Sequence, residues 1–69
     1  MKPRINNQIL AEEIRVIGPN GENLGILKRE EALSLIDPEK GLDLIEIAPN
    51  AKPPVAKLIN YDKWRYEEE

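Results

Sequence analysis

The chain has 69 residues, none of them cysteine or histidine. Without thiols there is no disulfide framework, which fits a reducing compartment. Without imidazole or thiolate, the chain cannot by itself form thiol nucleophiles, serine–histidine triads or the usual zinc ligand sets. Its apolar runs are short, and none approaches the ~20 residues of a membrane-spanning helix or forms a signal-peptide core. Carboxylates remain as possible acid–base groups. Glu30 and Glu31, Glu39 and Asp43, and the terminal Glu67 to Glu69 have no sequence partner that suggests catalytic geometry. Gly18, Gly21 and Gly25 match no phosphate-binding pattern and read as turn and strand chemistry. No catalytic residue, cofactor or metal ligand is assigned. A binding domain is favoured over an enzyme.

A single small domain is what remains. At this length folding buries only about 60% of the unfolded surface, so the core is marginal but feasible. Hydrophobic residues make up 41%, above the level of disordered chains. The net charge of −3 is unevenly divided. Residues 1–15 carry +1, residues 16–51 carry −4, residues 52–66 carry +3, and the last three glutamates carry −3. Because salt screens fields within about 8–10 Å, these local blocks matter more than the total.

Residues 1–8 have no sustained apolar period and read as a mobile arm. Glu13 to Ile17 alternates charged and apolar side chains, as a strand with one wet face does. Gly18-Pro19-Asn20-Gly21 supplies turn chemistry, and Leu24 to Leu27 resumes the apolar pattern, so 13–27 reads as a hairpin. From Lys28 to Ile36 the period shifts to that of a short amphipathic helix, with Lys28 a poor cap and Glu30 and Glu31 in its first turn. Leu42 to Ala48 is apolar on both faces, which predicts a central strand. Val55 to Ile59 is a further strand, expected at an edge because Pro53 and Pro54 precede it. Asn60 can cap a helix that runs on to the end. The expected core is Ile14, Val16, Leu24, Ile26, Leu33, Ile36, Leu44, Ile45, Ile47 and Leu58.

Segment 52–66 carries the clearest functional signal. It holds Lys52, Lys57, Lys63 and Arg65 together with all three aromatic residues, Tyr61, Trp64 and Tyr66. Cations interleaved with aromatic rings suit RNA, where phosphates meet charge and unpaired bases stack. The competing reading is that Tyr61 and Trp64, spaced i and i+3, pack onto the sheet while the others solubilise the helix.

Asn50-Ala51-Lys52-Pro53-Pro54-Val55, followed by Asn60-Tyr61-Asp62-Lys63-Trp64 and Tyr66-Glu67, resembles the signature of the N-terminal domain of bacterial translation initiation factor 3. The resemblance extends through Arg4-Ile5-Asn6, Glu13-Ile14-Arg15, Glu31-Ala32-Leu33 and Leu42 to Pro49, and so covers nearly the whole chain in order. It implies an α+β fold of the ubiquitin-like β-grasp type, with a four-stranded mixed sheet packed on one helix. It implies a mobile arm at 1–8, a globular body at 9–60, and the start of a linker helix at 61–69 that leads to a second domain not present here. It further implies a cytoplasmic, monomeric factor domain that does not engage membranes. Its partners would be ribosomal RNA and proteins of the small ribosomal subunit, together with initiator tRNA. Such a domain aids initiator-tRNA and start-codon discrimination and helps keep ribosomal subunits apart. Arg4, Asn6, Lys52, Lys57, Tyr61, Lys63, Arg65 and Tyr66 are the expected contact residues. The alternative is a β-grasp protein-interaction module with no RNA role.

Overall fold

The alternating stretch forms the expected hairpin. Glu13–Ile17 is β1 and Asn23–Lys28 is β2, paired antiparallel. The turn between them closes with the Gly21 amide donating to the Gly18 carbonyl at 3.0 Å. Within β2, Gly25 sits at φ 88°, next to a register shift between Val16 and Ile17. That backbone conformation strongly favours glycine. The computed structural model describes residues 2–68.

The helix is shorter than its apolar pattern predicts. α1 spans Arg29–Leu33, and the chain then tightens, with Leu35 and Ile36 amides donating to the Ala32 and Leu33 carbonyls. As expected, Lys28 offers no side-chain cap. Instead Glu31 reaches back, and its carboxylate accepts from the Lys28 amide at 3.3 Å. Asp37 then caps a single 3-10 turn, Pro38–Lys40. β3 follows at Asp43–Ala48, β4 at Val55–Ile59, and α2 at Tyr61–Glu68.

The four strands form one mixed sheet in the order β2-β1-β4-β3, with the central pair β1 and β4 parallel and both outer pairs antiparallel. With α1 over one face, this is the β-grasp arrangement. It corrects two sequence expectations, because β4 is central and β3 is outermost. Pro53 and Pro54 do not push β4 to an edge, since they precede its first ladder residue. Pro54 even contributes, its carbonyl accepting from the Arg15 amide at 2.9 Å. β3 is apolar on both faces for a different reason: its outer edge is covered.

Residues 4–6 provide that cover. The Glu46 amide donates to the Arg4 carbonyl at 2.9 Å, Ile5 bridges Ile45, and the Leu44 amide donates to Asn6 Oδ1 at 2.8 Å. The segment read as a mobile arm is therefore laid along β3 from Arg4 onward. A 3-10 turn at Asn6–Gln8 then carries the chain to Ile9, which is fully buried. The Arg29 guanidinium fixes this passage, with Nε donating to the Ile9 carbonyl at 2.7 Å and Nη2 to that of Asn7 at 3.2 Å.

Directly paired residues share a sheet face, which sorts the core. Ile14 opposite Leu27, Val16 opposite Ala56 and Leu44 opposite Leu58 face α1. They pack with Ile9 and Ala32, and half-buried Leu33, Leu35 and Ile36 close the cluster. Ile45 and Ile59 are buried outside this cluster, paired with Lys57 and Asp43 on the other face. Three expected core residues lie elsewhere: Leu24 is 40% exposed, Ile26 48% and Ile47 39%. β2 is an edge strand, and Ile26, opposite Arg15, stands on the face that α1 does not cover.

Candidate nucleic-acid interface

α2 carries half of the expected contact residues, Tyr61, Lys63, Arg65 and Tyr66, and its first turn is firmly tied. Asn60 Oδ1 accepts from the Lys63 amide at 3.1 Å, as a helix cap does. The Trp64 amide makes the first helical bond to the Asn60 carbonyl at 2.9 Å, and Asp43 Oδ2 accepts from the Tyr61 amide at 3.0 Å. Helical spacing then divides the side chains. Tyr61, Trp64 and Arg65 fall together: the two rings stack with centroids 6.1 Å apart and planes 24° from parallel, and the Arg65 guanidinium lies 5.9 Å from the Tyr61 centroid. Tyr61 and Trp64 are half-buried, their rings covering each other in part, and neither belongs to the hydrophobic cluster under α1. Lys63 and Tyr66, three apart, project from another side, with Tyr66 81% exposed.

The remaining expected residues do not all join this group. Lys52 is exposed on the loop between β3 and β4. Lys57 is half-buried on the sheet face opposite α1, beside Ile17 of β1 and Ile45 of β3. Arg15 stands on the same face, one pairing step away, opposite Val55 and Ile26. It was not among the expected contact residues, although the alternation of residues 13–17 already places it on the wet side of its strand. Arg4 and Asn6 are engaged within the fold. Arg4 Nη1 lies 3.5 Å from Glu46 Oε1, a carboxylate that is 5% exposed, and Asn6 Nδ2 donates to Asp43 Oδ1 at 3.2 Å. That is the one ion pair among the described residues, so Lys52, Lys57, Lys63 and Arg65 present their charge without an acidic partner there.

Chemically, the C-terminal third offers cations with no ion-pair partner among the described residues, one exposed phenol ring and a stacked aromatic pair. This composition suits phosphate and base contacts rather than bond-making chemistry. Among the described residues no group of acidic side chains is arranged to hold a metal ion, and no helix is long and apolar enough to cross a membrane.

Comparison with known proteins gives this surface a lineage. The family described as "Translation initiation factor IF-3, N-terminal domain" matches residues 5–69. The chain belongs to that family. Among curated relatives named translation initiation factor IF-3, the protein of Aquifex aeolicus is 56% identical over 64 residues, which is 93% of this chain and 36% of the relative. That of Thermus thermophilus is 50% identical over 64 residues, covering 93% and 37%. That of Cereibacter sphaeroides is 46% identical over 67 residues, covering 97% and 36%. The chain thus spans about a third of the length of the IF-3 proteins it matches. The matched region includes β1 to β4 and α2, so the IF-3 resemblance read from the motif residues extends over both the sheet and the C-terminal helix.

Proposed function

We propose that this domain acts in translation initiation by binding the small ribosomal subunit. There it contacts ribosomal RNA or initiator tRNA, aids start-codon discrimination and helps keep the subunits apart. The observation that carries this reading is the α2 surface, where Lys63 and Arg65 have no acidic partner among the described residues, beside a Tyr66 that is 81% exposed. In the proposed organisation residues 9–60 are the body and residues 61–69 begin the linker to a second, C-terminal domain. Lys52, Lys57 and Tyr61 extend the contact, and Arg15 joins Lys57 on the open sheet face. Arg4 and Asn6 reach the target only when the N-terminal segment leaves β3. A tethered domain works at high effective concentration, so modest contacts of its own suffice. The factor is taken to be cytoplasmic and the domain monomeric.

A charge-reversed chain, Lys57→Glu with Lys63→Glu and Arg65→Glu, tests this in a two-domain factor. It is expected to fold, to bind small subunits with a flatter salt dependence, and to relax initiator-tRNA discrimination. A folded variant with unchanged salt slope and discrimination overturns the reading. The second reading, a protein-interaction module, draws on the apolar face at Leu24 and Ile26. It predicts binding that resists salt and is lost in Ile26→Lys.

A further inference from the structure

We propose that Asp43 is a clasp joining the N-terminal segment to the first turn of α2, so that the two order and loosen together. Each oxygen of its carboxylate holds a different element. Oδ1 accepts from the Asn6 side-chain amide at 3.2 Å, and Oδ2 accepts from the Tyr61 backbone amide at 3.0 Å. The partners lie 37 and 18 residues away along the chain, and Asp43 is where they meet.

Both ties are specific. Asn6 adopts φ 51°, a left-handed conformation that asparagine tolerates better than most residues. This turns its amide toward β3 like the backbone of an added strand, with Oδ1 taking the Leu44 N–H at 2.8 Å and Nδ2 facing Asp43. On the helix side, the first N–H groups of α2 have no partner within the helix. Asn60 serves that of Lys63, and Asp43 serves that of Tyr61. A carboxylate is well suited there, since the positive end of the helix dipole favours negative charge.

A carboxylate fixed from both sides transmits the state of either. When residues 4–6 leave β3, Oδ1 loses the amide that orients it, and the Tyr61 N–H loses a fixed acceptor. The reverse follows by linkage, because a coupling free energy between two sites acts equally in both directions. The chain before the sheet and the helix after it, far apart in sequence, thereby share one equilibrium. This holds in the free chain, whatever the domain binds.

Amide exchange followed by NMR on the 69-residue chain tests the clasp. The Leu44 and Tyr61 amides are the reporters, and the Arg15 amide, bonded to the Pro54 carbonyl at 2.9 Å, monitors the sheet. Asn6→Asp keeps the size, the left-handed tolerance and the acceptor for Leu44, but sets a second carboxylate against Asp43. Tyr61 protection is expected to fall about tenfold, an ordinary coupling strength, with Arg15 unchanged. In an Asp43→Ala background the same substitution is expected to leave Tyr61 unaltered. Unchanged Tyr61 protection in Asn6→Asp, or an effect that persists in Asp43→Ala, overturns the proposal. If Arg15 also loses protection, the substitution has disturbed the sheet and Tyr61→Pro decides. Proline is accepted at the first helical position and deletes the N–H that Asp43 holds together with the ring stacked on Trp64, so Tyr61→Ala, which removes the ring alone, is its control. Leu44 protection is then expected to fall severalfold, and an unchanged Leu44 beside an intact Arg15 overturns the clasp.

Discussion

At the scale of single residues, burial rather than hydrophobicity decides what a side chain contributes. Ile9 and Ile26 are the same residue in opposite situations, one fully buried behind Arg29 and the other 48% exposed. Ile9→Ala is expected to cost about 2–5 kcal/mol in urea unfolding, through lost burial and the cavity left behind. Ile26→Ala, at a half-exposed position with no cavity to leave, is expected to stay within about 0.5 kcal/mol. Equal losses in the two variants would show that the core is misplaced. Gly25 gives a purely backbone test. A Cβ built there meets nothing within 4 Å, so crowding is not at issue. Its φ of 88° alone penalises a side chain, and Gly25→Ala is expected to cost about 1–2 kcal/mol by the same denaturant measurement.

At the scale of elements, the sequence was most informative where local chemistry acts alone. The hairpin, its Gly18–Gly21 turn and the Asn60 cap all follow from neighbours within a few residues. α1 was placed correctly but overextended, because Leu35 and Ile36 keep the apolar period while their backbone has already tightened into i to i−3 bonds. The positions of β3 and β4 in the sheet were misread for a common reason. A strand with two apolar faces is ordinarily central, but here residues 4–6 supply the missing neighbour. That neighbour is hidden in a stretch without periodicity, where the Asn6 amide substitutes for backbone pairing. The expected contact residues on α2 stand out by composition, whereas Arg15 becomes a companion of Lys57 only once β1 and β4 are known to lie side by side. Asn60→Ala removes the acceptor for the Lys63 amide and is expected to cost about 0.5–2 kcal/mol. Faster exchange of the Lys63 amide with little change at Arg15 would locate the loss in α2.

At the scale of the whole molecule, the acidic net charge and the basic segment 52–66 coexist because they occupy different stretches of chain. Association with RNA is governed by the cations at the contact, each phosphate neutralised adding about −0.7 to the log–log salt slope for single-stranded RNA. Reversing Lys57, Lys63 and Arg65 together is therefore expected to remove about two units of slope in filter-binding or fluorescence titrations against ribosomal RNA fragments. Reversal of Lys2 and Lys40, which lie outside residues 52–66, is the control and is expected to leave the slope nearly as it was.

The parallel pairing of β1 with β4 also has a consequence for how the chain comes into being. β1 emerges early in synthesis, yet its central partner begins only at Val55, after β2, α1 and β3 have been made. At roughly 5–20 residues per second, the intervening residues take about 2–8 s to be added. Over that interval β1 has only its hairpin partner, and a two-stranded hairpin is at best marginal in water. The sheet thus cannot be completed until Val55 to Ile59 clears the exit, and until then Ile14 and Val16 have only Ile9, the hairpin and α1 to cover them. Slow translation through Asn50 to Pro54 would lengthen the exposed interval without altering a single native contact.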